Sequence, residues 1–126
     1  NAEEAMKRTC LQLNTSVTDF TVAPKFRPNS EKGSHQWMVE FSKHPNSLEQ
    51  FAFQLDRELK MLNSDYAAKR QADLLLQMPE VVIVPSGTFQ NWLSSNGKLG
   101  GQHKVPRLSN NRTLIEEILK STAQVA

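Results

Sequence analysis

The sequence predicts an α+β fold, a small mixed sheet of three or four strands packed against helices. Two neighbouring segments, residues 17–23 and 34–41, alternate apolar and polar side chains with the period of a strand. Other stretches repeat their apolar residues every three to four positions, the period of a helix. The order is helix, two strands, two helices, strand, helix, helix. It is neither a regular βαβ series nor a bundle, and no internal repeat is present.

Residues 3–13 open with acids, continue with bases and place Ala5, Met6, Cys10, Leu11 and Leu13 near one side of a helical wheel, which predicts a first helix. In the two strand segments Phe20 and Val22 share one face of the first, and His35, Trp37, Val39 and Phe41 share one face of the second. The connector holds two prolines and a glycine over the length of a surface loop, which makes the strands antiparallel neighbours. Ser47 with Gln50 is a capping-box pattern ahead of the amphipathic series Leu48, Phe51, Ala52, Leu55, Leu59 and Leu62. Asn63-Ser64-Asp65 offers fresh N-cap chemistry, and a second helix is expected from there through Met78. Residues 81–84 form a β-branched apolar run between Pro79 and Pro85, which reads as a strand covered on both faces and central in the sheet. A short helix at 87–94, a glycine-bearing loop through Gly97, Gly100 and Gly101, an extended piece at 104–108 that is the uncertain fourth strand, and a last helix at 111–121 complete the series.

At 126 residues the chain is one domain, and roughly two-thirds of its surface is buried on folding. Fifteen Lys and Arg against thirteen Asp and Glu leave a net charge of +2, too small to argue for nucleic acid or an acidic membrane surface. Cys10, the single cysteine, cannot form an intramolecular disulfide, and no apolar run reaches the length of a membrane span or signal-peptide core. The expected location is the cytoplasm, with no nucleic-acid or membrane partner. Asn1-Ala2 reads as the scar of a cleaved tag, leaving residues 3–126 as one domain cut from a larger protein.

The sharpest charge asymmetry lies between Val81 and Ile115, where Lys98, Lys104, Arg107 and Arg112 occur with no Asp or Glu. Glycines at 97, 100 and 101 would let backbone approach a ligand, and Pro106 would orient Lys104 and Arg107, so phosphate or carboxylate is the natural partner. Composition alone favours a solvated basic loop. A phosphate-binding P-loop is excluded, since Trp92 and Leu99 stand where Gly and Ser or Thr are needed. His35, His44 and His103 have no metal-ligand spacing, so no metal is expected. Pro85-Ser86-Gly87-Thr88 lacks the Gly-x-Ser-x-Gly context of a serine nucleophile. The cluster from Asn63 to Arg70 reads as structural, with Asp65 and Lys69 an (i, i+4) pair. Trp37 and Trp92 read as core or interface anchors. Glu40, on the face opposite Trp37 and Phe41, is placed to meet a cation.

At residues 37–41 (WMVEF), 62–70 (LNSDYAAKR), 87–92 (GTFQNW) and above all 97–108 (GKLGGQHKVPRL), the chain resembles the C-terminal domain of the Gretchen Hagen auxin-responsive promoter family. The resemblance runs over roughly residues 17–120, and the text is closer to the bacterial branch than to the plant hormone-conjugating members. These are acyl acid amido synthetases within the adenylate-forming superfamily. The resemblance implies a parent enzyme that uses ATP and magnesium to convert a carboxylic acid to its acyl-adenylate, from which an amine, typically of an amino acid, displaces AMP. It implies that an N-terminal adenylating domain holds most of the site and that this domain swings over it. The family's Gln-aromatic-Lys-x-Pro-Arg stretch matches Gln102, Lys104, Pro106 and Arg107, with His103 where plant members commonly have tyrosine. Lys104 is thereby the candidate catalytic residue; Arg107, Lys98 and Gln102 are candidates for phosphate binding or interdomain contact. The isolated chain is expected to be inactive and to hold no cofactor. The reading from another class is a non-catalytic anion-binding or protein-interaction module.

Overall fold

The computed structural model describes residues 1–26, 32–71, 75–95 and 105–125, with side chains described through residue 120. Helix α1, Ala2–Leu13, has Glu3 and Glu4 in its first turn and ends at Asn14, which takes the left-handed conformation (φ 52°, ψ 51°) while its backbone N–H donates to the carbonyl of Cys10. Strands β1, Ser16–Phe26, and β2, Gly33–Lys43, pair antiparallel with Phe20 opposite Val39 and Val22 opposite Trp37. Both strands run further than their alternation predicts. The register shifts twice at the start of β1: Ser42 is extra in β2 between the Ser16–Lys43 and Val17–Phe41 pairs, and Thr18 is extra in β1 between the Val17–Phe41 and Asp19–Glu40 pairs.

The period of two sorts these strands into two faces. Phe20, Val22, Trp37, Val39 and Phe41 join Phe51, Leu55, Leu59 and Tyr66 in one buried cluster with Ala5 and Met6 of α1. Ala23 and Met38 point the other way, into a second cluster with Val84, Phe89, Leu93, Val105, Ile115 and Ile118. Helices therefore cover the sheet on both sides. Helix α2, Leu48–Leu62, starts where the Ser47 hydroxyl accepts from Gln50 N at 3.1 Å. Helix α3, Ser64–Arg70, starts where Asn63 Oδ1 accepts from Tyr66 N at 3.0 Å.

Two expectations are corrected. The second of these helices ends at Arg70 rather than running to Met78, because the N–H groups of Leu75 and Leu76 both return to the Lys69 carbonyl and Leu76 bridges to Gly33. The apolar run becomes β3, Glu80–Ile83, parallel to β2, but the sheet order β1-β2-β3 puts it at an edge. The reason is topological: β1 already occupies one side of β2, so the crossover through α2 and α3 can land only on the other. Four residues between prolines need one ladder partner, and Ile83 is 42% exposed.

On the far edge of β1, Val22 N donates to Arg107 O at 2.9 Å and Ser109 N donates to Val22 O at 3.0 Å, with Val22 and Leu108 forming a parallel bridge. The expected fourth strand is thus one bridge long. Helix α4, Thr88–Ser95, and helix α5, Thr113–Val125, pack on the second face.

Candidate functional site

The segment after residue 104 is fastened to β1 residue by residue. Val105 is buried in the second cluster, and the Pro106 carbonyl accepts from the Thr21 hydroxyl at 2.6 Å. The Arg107 guanidinium then turns back over β1. Its Nη1 donates to Asp19 Oδ1 and, at 3.0 Å, to the Phe20 carbonyl, while Nε donates to Glu3 Oε1 at 2.9 Å. Its Cζ stands 4.4 Å from the centroid of the Phe20 ring, a cation–π contact. Asp19, 8% exposed, also accepts from Phe20 N at 3.0 Å. Arg107 therefore joins α1, β1 and the basic segment.

Asp19 lies directly opposite Glu40 across the β1–β2 ladder. Two buried carboxylates side by side repel unless each has its own compensation. Asp19 has Arg107. Glu40 Oε1 accepts from Phe89 N at 3.2 Å, in the first turn of α4, where the helix presents unpaired N–H groups and the positive end of its dipole. The described partner of Glu40 is thus a backbone N–H at a helix N-terminus and not the cation expected for it.

Of the predicted site residues, Arg107 is placed as described, while Lys98, Gln102, His103 and Lys104 lie outside the described residues. Arg112, counted in the same basic stretch, donates to Glu116 Oε1, the Pro24 carbonyl and Gln36 Oε1 at 2.9, 3.1 and 2.7 Å. Beside it, Glu80 takes Lys25 Nζ at 2.8 Å and Gln36 Nε2 at 3.0 Å; the Lys25 hydrogen bond, outweighing partial burial, holds its carboxyl below the usual range. Both described arginines of the stretch are therefore paired with carboxylates. Those partners lie outside the window that made the stretch look uncompensated. Trp92 Nε1 donates to Glu117 at 3.2 Å, an α4–α5 contact, and Lys69 pairs with Asp65 at 3.2 Å, as the (i, i+4) spacing predicts.

The sequence reading missed Asp56. It is 3% exposed and takes a two-pronged contact from Arg70, Nε to Oδ1 at 2.7 Å and Nη2 to Oδ2 at 3.0 Å, with Tyr66 Oη donating to Oδ1 at 2.6 Å. Burial pushes the Asp56 carboxyl up, but the hydrogen bonds from Arg70 and Tyr66 and the charge of Arg70 outweigh it and hold the group below its ordinary value. Burial, followed by the Asp56 contact, drives the Tyr66 phenol far up. A signal was present: Asp56 sits four positions after Ala52 and three before Leu59, inside the apolar stripe of α2.

A groove of about 690 Å³ runs between α1 and β1 with Arg107 among its lining residues. Glu3, Glu4 and Asp19 line it too, which suits it poorly to a triphosphate. No group of three or more His, Cys, Asp or Glu able to hold a metal occurs among the described residues, and no helix there is long and apolar enough to cross a membrane.

Fold and site together define a small α+β domain whose basic segment is anchored on a sheet edge. The chain matches the sequence profile of the GH3 family C-terminal domain over residues 1–113, and it belongs to that family. It is similar to the solved structure of a GH3.15 acyl acid amido synthetase, with 23% identity and a TM-score of 0.70 over 98% of this chain and 23% of that one. It is similar also to AtGH3.15 acyl acid amido synthetase in complex with 2,4-DB, with 23% identity and a TM-score of 0.73 over 96% of this chain and 23% of that one. This likeness is one of fold, and the chain spans about a quarter of the length of either protein. None of the curated proteins matches it.

Proposed function

We propose that this chain is the C-terminal domain of a bacterial-branch acyl acid amido synthetase and that it closes over an N-terminal adenylating domain during catalysis. The parent enzyme would join a carboxylic acid to ATP with loss of pyrophosphate, then let an amine displace AMP to form an amide. The observation that carries the reading is the family match over 113 of 126 residues. Departing pyrophosphate concentrates negative charge, and a lysine brought to it where water is excluded stabilises the transition state more than the ground state. Lys104 is the residue proposed for that role, with Lys98 and Gln102 as secondary contacts.

Arg107 fits a supporting part. Its bond to exposed Glu3 (side chain 64% exposed) is the weak kind of surface pair, so a phosphate or an interdomain carboxylate could replace Glu3 while buried Asp19 stays in place. ATP and magnesium would be held mainly by the other domain; the described residues here offer no metal cage. The test is ATP–pyrophosphate exchange by the full-length parent across a panel of carboxylic acids, comparing wild type with Lys104→Ala. Loss of one charge-assisted contact, about 1.5–3 kcal/mol, predicts an acid-dependent exchange that falls roughly 10- to 150-fold. Exchange unaffected by the substitution would move the role away from Lys104. No exchange with any acid would refute the synthetase reading and favour the binding module.

A further inference from the structure

Arg107 holds two carboxylates of opposite kinds. On its inner side Nη1 donates to Asp19 Oδ1 and to the Phe20 carbonyl, and Cζ lies over the Phe20 ring. Asp19 is buried and faces Glu40 across the ladder, so releasing it from Arg107 would strand one carboxylate beside another. On its outer side Nε donates to Glu3 Oε1 at 2.9 Å. Glu3 is mostly exposed and stands in the first turn of α1, where the helix dipole favours an acid with or without Arg107. The inner bond is therefore fixed and the outer one exchangeable.

The groove between α1 and β1 shows what the outer bond controls. Its charged lining is Glu3, Glu4, Asp19, Lys7 and Arg107, three carboxylates against two cations. Asp19 is engaged by Arg107, and Glu4 by Arg8 at 3.1 Å. Glu3 is thus the carboxylate that sits on the exchangeable contact of Arg107 and turns the charge of the groove against an incoming anion. An arginine held inward by a buried acid and outward by a solvent-facing one carries, in the outer acid, its own competitor for an external anion. The outer donor is available only in the fraction of molecules whose Glu3 contact is open, and the apparent affinity for the anion is lowered by that fraction.

We propose that Glu3 is an autoinhibitory contact: its carboxylate occupies the Arg107 Nε–H until a phosphoryl oxygen of the nucleotide in the parent enzyme displaces it, while Asp19 keeps the guanidinium in position. This inference rests on the synthetase reading. It gives Glu3 a part in setting how much nucleotide the parent needs, and it requires that removing the carboxylate improve the enzyme.

The test is ATP–pyrophosphate exchange by the full-length parent, measured as a function of ATP concentration. Glu3→Gln removes the charge and keeps the shape of the side chain. Relief from an exposed ion pair should raise kcat/KM for ATP about 1.5- to 5-fold, chiefly through KM. Glu4→Gln, the same charge change one residue on and in the same groove, should leave kcat/KM unchanged. In a background of Asp19→Asn with Arg107→Met, where neither partner is left as an unpaired charge, Glu3→Gln should have no effect. A purely structural role for Glu3 would not improve the enzyme, and a long-range charge effect would appear in all three comparisons. The inference is overturned if Glu3→Gln leaves kcat/KM unchanged or lowers it, if Glu4→Gln gives an equal gain, or if the gain survives without Arg107. No exchange by the wild type with any acid would overturn the synthetase reading and this inference with it.

Discussion

Asp56→Ala is expected to be the most damaging single truncation on the α2–α3 side of the sheet. The substitution removes both acceptors of the Arg70 fork and the acceptor of the Tyr66 hydroxyl, leaving a guanidinium in a residue only 6% exposed. Breaking a buried pair in this way costs about 3–5 kcal/mol, a large part of a typical domain's 5–15. With an unfolding entropy of about 2.1 cal/mol/K per residue, 126 residues give about 0.26 kcal/mol/K, so Tm should fall by about 11–19 °C. Thermal unfolding followed by far-UV circular dichroism reads this directly. The same argument requires that Asp56→Leu combined with Arg70→Met recover most of the loss, because the penalty comes from the stranded charge and not from the missing attraction. The folded-state Asp56 carboxyl lies below its ordinary 3.8, so its stabilisation is complete above that value and is lost as the pH falls through the folded value. The alanine variant should therefore lack part of the acid-induced loss of stability seen in the wild type below about pH 4. A single-variant cost under about 1 kcal/mol, or costs that add in the double variant, would refute the reasoning.

Urea unfolding at 25 °C checks the remaining expectations. Arg107→Met strands Asp19 and should cost about 2–4 kcal/mol, whereas Glu3→Gln, which removes only the exposed partner, should stay within about 0.5. Gly87 has φ +90°, and a Cβ there would meet nothing closer than Asn91 Nδ2 at 4.0 Å, so Gly87→Ala should cost about 1–2 kcal/mol through backbone strain alone. Ser47→Ala removes the hydroxyl that accepts from Gln50 N and should cost about 1 kcal/mol.

What could be read from the sequence follows the range of the interaction. The strand alternation placed Phe20, Val22, Trp37, Val39 and Phe41 on one face, and the structure buries all five there, because a period of two is a local property of the backbone. Ser47 and Asn63 were legible as caps for the same reason. The place of β3 was not, since β-branched residues between prolines describe a strand but not its neighbours, and it was the antiparallel β1–β2 pair that left only an edge. Trp37 was legible as a core anchor, but its unpaired indole nitrogen depends on what five elements bring around it.

The basic stretch shows the same limit most sharply, and with a consequence for the site. Within residues 81–115 four cations stand without an acid, yet Asp19 and Glu3, 88 and 104 positions before Arg107, fold against it, and Arg112 is held by Glu116 and Gln36. A charge window measures composition, whereas the field at a site is set by whatever the fold brings within a few ångströms. Arg107 through Asp19, and Arg112 through Glu116 and Gln36, hold the segment's end and the start of α5 on the sheet, so on the proposed synthetase reading Arg107 has only its Glu3 contact to exchange and the main anion contact falls to Lys104. The two kinds of role separate in one experiment on the parent enzyme: Arg107→Met should lower stability and exchange together, and Lys104→Ala should lower exchange alone. Equal stability losses from the two substitutions would remove the distinction between anchoring and catalytic charge.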